Sequence, residues 1–303
     1  MSGWKEEAKQ YWLDGVSQRK ISKLLGVPRT TVGDYIRRMG CVPYESSPAV
    51  GPKILFIDIE TKPILAQVWR LWDQNVGLNQ IEQDWSILSF CAKWKGCEDV
   101  VYMDLKDQDD FEDDSTLLDS LWRLLNEADF VVGQNSKRFD VKKINARFIL
   151  NGMPKPSTFR QIDTMEIAKR QFGFTSNKLA YMTDKLCTVY KKLDHQKFSG
   201  HSLWAECLKG NPEAWAEMKE YNIYDVLSLE ELYDILSSWD DKLPNFDVYV
   251  DGVLDMSEWQ VDGFHYSNLG KYKRYRNTRT GEQRRSRVNT LSKEKRESLL
   301  RNI

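Results

Sequence analysis

The sequence is poor in the residues that build disulfide frameworks or zinc sites. Its 303 residues include five cysteines, at positions 41, 91, 97, 187 and 207, and none of them belongs to a C-x-x-C pair. An odd number of widely spaced cysteines argues against a disulfide framework and against a cysteine zinc site. The histidines, His195, His201 and His265, have no metal-ligand spacing, and no nearby serine or cysteine forms a catalytic triad with them.

Long hydrophobic runs are also absent. No apolar stretch reaches membrane-spanning length, and the first residues, MSGWKEEAKQ, lack the basic-then-apolar pattern of a signal peptide. The composition, 41% hydrophobic and 29% charged, is that of an ordinary soluble globular protein. The length allows one large domain with appendages, or two to three modest domains. We therefore expect a cytoplasmic protein with no membrane partner.

The sequence has almost no net charge, but its charges are unevenly distributed along the chain. Residues 1–42 hold eight basic and four acidic residues, residues 264–303 hold twelve basic and three acidic ones, and the formal net charge is −1. The middle of the chain is therefore strongly acidic. Basic ends suit a polyanion such as nucleic acid, and an acidic centre suits a divalent cation. The alternative for each is a solvated face or tail.

Residues 1–42 form a predicted helical unit. A first helix is expected over WKEEAKQYWLDG, and SQRKISKLLGVPRTTVGDYIRR indicates two further helices joined at Gly26. This spacing resembles a DNA-binding helix-turn-helix, whose second helix enters the major groove. The predicted DNA-contacting residues are Arg29, Thr30, Thr31, Arg37 and Arg38. The alternative is a helical hairpin that binds protein or only packs.

Residues 43–52 form a predicted linker, because this stretch is rich in proline. A domain over 53–243 follows, with a first apolar strand and then an antiparallel hairpin that turns near Gly96. A leucine-striped helix, STLLDSLWRLLNEA, a short strand, FVVGQN, and a helix from about Phe139 come next, and residues 213–238 are mostly helical. This order predicts an α/β or α+β domain around a mixed sheet. Trp204, Trp215 and Trp239 are expected to be core anchors.

Two acidic residues stand inside an apolar strand. In ILFIDIET, residues 54–61, Asp58 and Glu60 are two positions apart, so their side chains point to the same face of the strand. Two like charges side by side in a low-dielectric environment are costly without a compensating cation. The pair therefore belongs at the exposed end of the strand or beside a positive charge.

Two further motifs place acids at the ends of predicted elements. In NSKRFD, Asn135 is followed by Phe139 and Asp140 where a strand gives way to a helix. In YNIYD, Tyr221 and Asp225 are four residues apart and share one face of a helix. Each motif alone is a weak signal, because a single acid is often a solvated residue or a helix cap.

The three motifs in this order resemble those of the DEDD superfamily of 3′→5′ exonucleases: D-x-E, then N-x3-F/Y-D, then Y-x3-D. The tyrosine in the third motif points to the DEDDy branch, which includes the proofreading domains of DNA polymerases. The histidine branch has its histidine where this chain has Glu220. The resemblance covers about residues 53–240 and extends to phage-encoded stand-alone exonucleases with an N-terminal helix-turn-helix, which implies the cytoplasm of a bacterium or of a phage-infected host cell.

The resemblance implies an α/β, RNase H-like fold, in which a mixed five-stranded sheet is flanked by helices and QIDTMEIAK is the fifth strand. It also implies a metal-dependent exonuclease that releases nucleoside 5′-monophosphates from DNA with two Mg²⁺ or Mn²⁺ ions. Such ions generate the nucleophile and stabilise charge on the attacking and leaving oxygens. The expected metal ligands are Asp58, Glu60, Asp140 and Asp225, and Tyr221 would orient the attacking water.

Two residues of the second motif are expected to bind the substrate. Asn135 would position the 3′-terminal nucleotide, with closing a turn as the alternative. Phe139 would stack on a base, with a core position at the start of a helix as the alternative. By the same resemblance, the partner is DNA, with a single-stranded end at the active site and duplex at the helix-turn-helix.

Residues 244–303 are expected to form a small β-ribbon and a basic tail. Tyrosines alternate with basic residues there, and Lys271, Lys273, Arg274 and Arg276 are the predicted nucleic-acid-binding residues. The region resembles the zinc ribbon that ends some phage exonucleases, but its cysteines are absent, so no zinc is expected. A disordered basic tail is the alternative.

Two other functions fit the same sequence. One is a non-catalytic DNA-binding, scaffolding or regulatory protein with an inert exonuclease-like centre. The other is a nuclease that acts on RNA or on structured junction DNA, because the same chemistry cuts any phosphodiester that reaches the site.

Overall fold

The protein was analysed as a computed structural model that describes residues 3–13, 18–39, 51–193, 197–250 and 252–300. The chain divides into two compact units, Met1–Tyr233 and Asp234–Ile303, and each is described by itself. The predicted linker lies outside the described residues except for its last two positions. Among the helices of the described residues, none is long and apolar enough to cross a membrane.

Three helices open the first unit: α1 (Gly3–Leu13), α2 (Gln18–Leu25) and α3 (Arg29–Met39). The two helices expected on either side of Gly26 are present, and the predicted end of the first helix lies outside the described residues. Ala8, Ile21 and Val32, one from each helix, are fully buried and form a small core. Burial of these apolar side chains holds the three helices together.

A mixed five-stranded sheet forms the centre of the first unit, as predicted. Its strands, in the order β5-β4-β1-β6-β7, are β1 (Ile54–Thr61), β4 (Ile87–Trp94), β5 (Val100–Asp104), β6 (Phe130–Gly133) and β7 (Arg160–Asp163). Strands β1, β4 and β5 pair antiparallel, and β6 and β7 run parallel to β1. The antiparallel hairpin expected around Gly96 is therefore confirmed.

The fifth strand is shorter than the sequence indicated. QIDTMEIAK was expected to be a strand, but β7 ends at Asp163 and a helix, α6 (Thr164–Gln171), begins at the next residue. The Asp163 side chain accepts hydrogen bonds from the backbone N–H groups of Met165 and Glu166. An aspartate in this position caps a helix, and it therefore ends the strand.

Helices cover the sheet: α4 (Ser115–Glu127), α5 (Asp140–Leu150), α7 (Leu179–Leu186), α8 (Ser202–Leu208) and α9 (Pro212–Ser237). In α4, four leucines are buried in the hydrophobic core that the helix shares with the sheet: Leu117, Leu118, Leu121 and Leu125. This confirms the predicted leucine stripe. The prediction of core tryptophans is confirmed for Trp215 and wrong for Trp239, whose exposed fraction is 65%.

An exposed apolar hairpin follows β1 and was not predicted. It consists of β2 (Leu65–Ala66) and β3 (Ile81–Gln83), which pair antiparallel, with a 3₁₀ turn at Leu78–Gln80 before β3. Trp69 and Trp72 in the connecting segment are almost fully exposed.

The second unit contains the expected β-ribbon. After a 3₁₀ turn at Phe246–Tyr249, strands β8 (Trp259–Ser267), β9 (Gly270–Asn277) and β10 (Gln283–Asn289) form an antiparallel sheet with β9 in the centre. A short helix, α10 (Lys293–Ser298), follows the sheet. Ser292 caps it by accepting a hydrogen bond from the Lys295 N–H.

Candidate metal and nuclease site

The acidic strand β1 changes partner where its carboxylates begin. Ile54 to Phe56 pair with β6, but the residues after Phe56 pair only with β4, where Asp58 is opposite Cys91 and Glu60 is opposite Ser89. β1 and β6 part at the carboxyl ends of the parallel strands, the place where open α/β sheets have their ligand-binding crevice. Asp58 and Glu60 are half-buried on the same face of β1.

Helix α9 lies beside this crevice and brings three polar side chains to it. Tyr221, Asn222 and Asp225 stand at spacings of one, three and four residues, so they share a face. Asn222 is fully buried, and its Nδ2 donates a 2.6 Å hydrogen bond to Oδ2 of Asp58. Its Oδ1 accepts a 3.3 Å hydrogen bond from Ser89. The sequence analysis missed Asn222, although its spacing from Asp225 puts it on the acidic face of the helix.

The predicted acids lie together. One carboxylate oxygen each of Asp58, Glu60 and Asp225 lies within 4.8 Å of the others. Asp140, the first residue of α5, is 4% exposed, and its Oδ1 accepts a 3.2 Å hydrogen bond from the Ile59 N–H. This N–H belongs to the part of β1 that has left β6, so Asp140 satisfies a backbone donor. Asp140 adjoins the group of three and is not a member of it.

Burial and mutual repulsion disfavour the charged forms of these acids. Burial, followed by the charges of Asp225, Asp140 and Glu60, raises the pKa of Asp58 well above its usual range. Burial and the charge of Asp225 raise the pKa of Glu60 to about 8. Burial raises the pKa of Asp140 to about 7, despite the hydrogen bond from Ile59.

Lys192 places a positive charge at this site, and it was not among the predicted site residues. Its Nζ forms an ion pair with Oδ2 of Asp225 and lies 4.3 Å from the centroid of the Tyr221 ring. Burial disfavours the ammonium group, but the charges of Asp225 and Tyr221 outweigh burial and keep the pKa of Lys192 above its ordinary value. No motif surrounds this lysine, so its role was not visible in the sequence.

The segment that carries Lys192 is anchored on α9. The Glu231 carboxylate accepts hydrogen bonds from the backbone N–H groups of Thr188 and Tyr190, at 2.6 and 2.7 Å. The Lys192 N–H donates a 3.2 Å hydrogen bond to the hydroxyl of Thr183. These bonds hold the backbone at residues 188, 190 and 192. The fold therefore defines the position of Lys192 beside the acids.

Tyr221 and Trp204 complete the wall of the site. Burial and the charge of Asp225 raise the pKa of Tyr221 to about 12, so its side chain is a neutral phenol at neutral pH. Trp204 packs edge to face on Tyr221, with ring centroids 6.5 Å apart, and its side chain forms a hydrogen bond with Glu60. Trp204 packs against the hydrophobic core, as expected, and it also contributes to the site.

The group of three carboxylates fits a hard divalent cation. Each ligand oxygen of Mg²⁺, Mn²⁺ or Ca²⁺ lies about 2.0–2.6 Å from the ion, so two oxygens that share an ion are at most about 4–5 Å apart. The 4.8 Å limit for Asp58, Glu60 and Asp225 meets this requirement. The donors are all oxygen, which favours such ions over zinc.

The two predicted substrate-binding residues lie at the start of α5. Asn135 has a φ of 62°, its N–H donates a 2.9 Å hydrogen bond to Asp163, and its carbonyl accepts from Phe139 at 3.1 Å. Its backbone therefore closes the turn, which was one of the two alternatives. Phe139 is 40% exposed, and Lys143 lies 5.9 Å from its ring. Phe139 is therefore not a core residue, and its stacking on a base stays a prediction.

The predicted DNA-contacting residues of the N-terminal helices are partly described. Arg29, Thr30 and Thr31 are exposed at the start of α3. Arg29 also contacts the start of α4, at 3.3 Å from the Ser115 hydroxyl and 3.7 Å from the Asp113 carboxylate. The side chains of Arg37 and Arg38 lie outside the described residues. DNA binding by these helices stays a prediction.

The four predicted nucleic-acid-binding residues of the second unit all lie on β9 but do not share one environment. Lys271 and Lys273 project to one face of the strand, and Arg274 and Arg276 project to the other. Arg274 and Arg276 form ion pairs with Asp262, at 3.4 and 3.1 Å.

The chain was compared with known protein families, curated proteins and solved structures. Among curated proteins, no significant match to the sequence is found. One of the solved structures that resembles the chain is the family B DNA polymerase from the hyperthermophilic archaeon Pyrobaculum calidifontis, with a TM-score of 0.44 and 14% sequence identity. That alignment covers 62% of this chain and 25% of the polymerase, so the chain spans about a quarter of the polymerase's length. The sequence model of the RNase H superfamily matches residues 55–237, and together with the mixed five-stranded sheet this match shows that the chain belongs to the RNase H superfamily.

Proposed function

We propose that this protein is a metal-dependent 3′→5′ exonuclease that hydrolyses DNA from single-stranded ends and releases nucleoside 5′-monophosphates. The observation that carries the proposal is the convergence of Asp58, Glu60 and Asp225 within 4.8 Å, in a crevice beside Asp140. A superfamily scaffold does not need three carboxylates at one point for folding, because their mutual repulsion is unfavourable without a cation.

The carboxylates would hold Mg²⁺ or Mn²⁺. Asp58, Glu60 and Asp225 would be the ligands of one ion, and Asp140 is the ligand that we assign to a second. When bound, such ions supply a water of lowered pKa and positive charge beside the reacting phosphate. Ligands from three separate elements, β1, α5 and α9, mean that only the folded chain creates the site.

The surrounding side chains keep the acids in position. Asn222 fixes one oxygen of Asp58, at 2.6 Å, and a hydrogen bond from Trp204 holds Glu60. Tyr221 remains protonated at neutral pH because its pKa is raised to about 12. It can therefore donate a hydrogen bond to orient a water or a phosphate oxygen, and it does not act as a base.

Substrate binding extends from the acids towards the exposed residues around them. Phe139 offers an exposed ring one residue before Asp140, where we assign it the terminal base, with Asn135 beside it. Arg29, Thr30 and Thr31 are the exposed residues that we assign to duplex DNA.

A nuclease assay tests this function. A single-stranded oligonucleotide labelled at its 5′ end is incubated with the full chain and Mg²⁺ or Mn²⁺, and stepwise shortening is expected. EDTA and the variant Asp58→Asn should each abolish it, whereas Asp109→Asn, a change at an exposed carboxylate outside the site, should not. Absence of degradation of DNA by the wild type with either ion would refute the proposal, and matched RNA and junction substrates reveal whether the substrate class is different.

One observation favours the second candidate, a DNA-binding protein with an inert centre. Lys192 already supplies a positive charge to Asp225, so the acids are partly compensated without metal. Calorimetric titration with Mn²⁺ separates the two functions. If the site is active, the wild type binds Mn²⁺ and the variant Asp58→Asn does not. If the centre is inert, neither protein shows site-specific binding.

A further inference from the structure

The two faces of the β8–β10 sheet have different chemistry. Residues that lie directly opposite each other in an antiparallel pair project to the same face. Phe264 is opposite Lys273, and Tyr266 is opposite Lys271, so these four side chains form one surface, which we call the lysine face. Arg285 is opposite Arg274, and His265 is opposite Tyr272; these side chains lie on the other surface, the arginine face.

A β-bulge in β8 creates the lysine face. Val261 pairs with Tyr275 and Phe264 pairs with Lys273, so three residues of β8 span two residues of β9. Without the extra residue, Val261 and Phe264 would point to opposite faces. Gly263 in the bulge has a φ of +76°, a conformation that glycine adopts without strain. The bulge therefore brings Phe264 and Tyr266 to the side of Lys271 and Lys273.

On the arginine face, the carboxylate of Asp262 compensates the charges of two arginines. Arg274 and Arg276 share Asp262 as their ion-pair partner, and Nε of Arg274 also donates a 2.7 Å hydrogen bond to the Asp262 carbonyl in the bulge. Arg285 lies over the Tyr272 ring, 4.3 Å from its centroid. The charges of Arg274 and Arg276 are therefore already paired with an acid, whereas Arg285 has only the ring contact.

The lysine face carries free charge beside exposed aromatic rings. Within the described residues, neither Lys271 nor Lys273 forms an ion pair, and Nζ of Lys271 lies 4.0 Å from the centroid of the Phe264 ring. Phe264 is 40% exposed and Tyr266 is 67% exposed. At the edge of this face, Arg284 is paired with Asp247 and Glu282, so the lysines are its available cations. Exposed rings next to unpaired cations are the combination that binds a flexible polyanion whose own rings can stack.

We infer that the lysine face of the second unit is a binding surface for single-stranded DNA, in which Phe264 and Tyr266 stack on bases while Lys271 and Lys273 contact phosphates. The identity of the polyanion rests on the proposed function. Duplex DNA fits less well, because its bases are stacked on one another and offer no free ring faces. Binding by stacking is tolerant of sequence, because every base has a ring face.

Binding of a single-stranded oligonucleotide to the full chain, measured in EDTA by fluorescence anisotropy over a range of salt concentrations, tests the inference. Lys271→Gln with Lys273→Gln should lower affinity and reduce the slope of log K against log salt by about 1.4, since each phosphate contact with a single strand contributes about 0.7. The matched pair Arg274→Gln with Arg276→Gln, on the arginine face and paired with Asp262, should leave the slope unchanged.

The aromatic residues have a control of their own in the same strand. Phe264→Ala and Tyr266→Ala should each lower affinity by about fivefold or more without changing the salt slope. His265→Ala, between them in sequence but on the arginine face, should have no effect. If either alanine variant has a lowered melting temperature, Phe264→Leu or Tyr266→Leu keeps an apolar side chain without a ring and should show the same loss.

Three results would overturn the inference: equal losses from the two charge pairs, no effect of the aromatic changes, or tighter binding of matched duplex DNA or RNA than of single-stranded DNA. Because the measurement is made in EDTA, it does not depend on catalysis. An inactive acidic site with intact binding would contradict only the proposed nuclease function, and active hydrolysis with unaltered binding by the lysine-face variants would contradict only this inference.

Discussion

The ammonium group of Lys192 forms an ion pair with Asp225 at the edge of the carboxylate group. Within the described residues, Asp58 and Glu60 form no ion pair of their own, so a single lysine serves a site with four acids. Its bond reaches one oxygen of one carboxylate. When Asp58 and Glu60 are ionised, Lys192 offsets their repulsion only in part, which is the condition in which a divalent cation gains most from binding.

Replacement of this lysine should destabilise the metal-free protein. In Lys192→Met, Asp225 loses its partner in a buried environment, and we expect the free energy of unfolding at pH 8 to fall by about 3 kcal/mol. Chemical denaturation in EDTA measures this. Lys191→Met is the matched control, because Lys191 is exposed and pairs with the exposed Asp184, and its loss should cost less than about 1 kcal/mol. Equal effects of the two variants would show that the buried pair has no special role.

Metal binding should strengthen as pH rises from about 6 to 8. Burial raises the pKa of Glu60 to about 8 and that of Asp140 to about 7, so protons compete with the cation below these values. The same pKa shifts also predict how the stability of the metal-free protein changes with pH. The folded state holds more protons than the unfolded chain, so the free energy of unfolding falls as pH rises from about 4 through the folded pKa values, and the loss is complete above them.

Calorimetric titration with Mn²⁺ at pH 6, 7 and 8, in two buffers of different ionisation enthalpy, measures both the affinity and the protons released. Proton release should be greatest at the lowest pH. An affinity that does not change over this range would contradict the raised pKa values.

The buried Asn222 should act on metal affinity through Asp58. Removal of its amide in Asn222→Ala frees the Asp58 carboxylate to rotate, and we expect Mn²⁺ affinity to fall by about 10-fold to 100-fold, as for other residues that orient metal ligands. Ser228→Ala is the control, because Ser228 is equally buried on α9 but its hydroxyl bonds only the backbone carbonyl of Asp225. If both variants bind Mn²⁺ like the wild type, Asn222 does not position the ligand.

Gly133, at the end of β6, should not tolerate a side chain. A Cβ there would lie 2.4 Å from Cβ of Ser136, which is fully buried, and 3.4 Å from the Ile57 carbonyl. Gly133→Ala should therefore lower the free energy of unfolding by about 1–3 kcal/mol. In contrast, a Cβ at Gly173 meets nothing within 4 Å, and Gly173→Ala should be close to neutral. Denaturant titration compares them, and equal stability would mean that the turn after β6 can open without cost.

The bulge in β8 should depend on glycine at position 263. A β-branched residue is strained at a φ of +76°, so Gly263→Val should destabilise the strand by about 1–2 kcal/mol. Gly263→Asn should cost less, because asparagine tolerates this region. Hydrogen exchange of the β8 and β9 amides measures local stability, and it should be lower in the valine variant than in the asparagine variant. Identical protection in the two variants would contradict the strain argument.

The sequence determined the local features of the protein. The strand and helix patterns predicted the mixed sheet, the leucine-striped α4 and the C-terminal ribbon, because side-chain periodicity is a property of neighbouring residues. The order of three acidic motifs predicted which carboxylates belong together. Asp163 shows where an expectation was wrong: the resemblance implied that QIDTMEIAK is a strand, but the capping bonds of Asp163 end β7 and start α6.

The tertiary structure decided everything that depends on the distance between remote residues. Lys192 and Asn222 carry no signature, and their importance arises only because a loop and a helix bring them to the acids. The ribbon shows the same limit at short range: tyrosines and basic residues are interleaved in the sequence, but a one-residue bulge in β8 decides that Phe264 and Tyr266 lie on the face of Lys271 and Lys273. Spacing along a strand or helix fixes the direction of a side chain, whereas its partner is fixed by how separate elements pack.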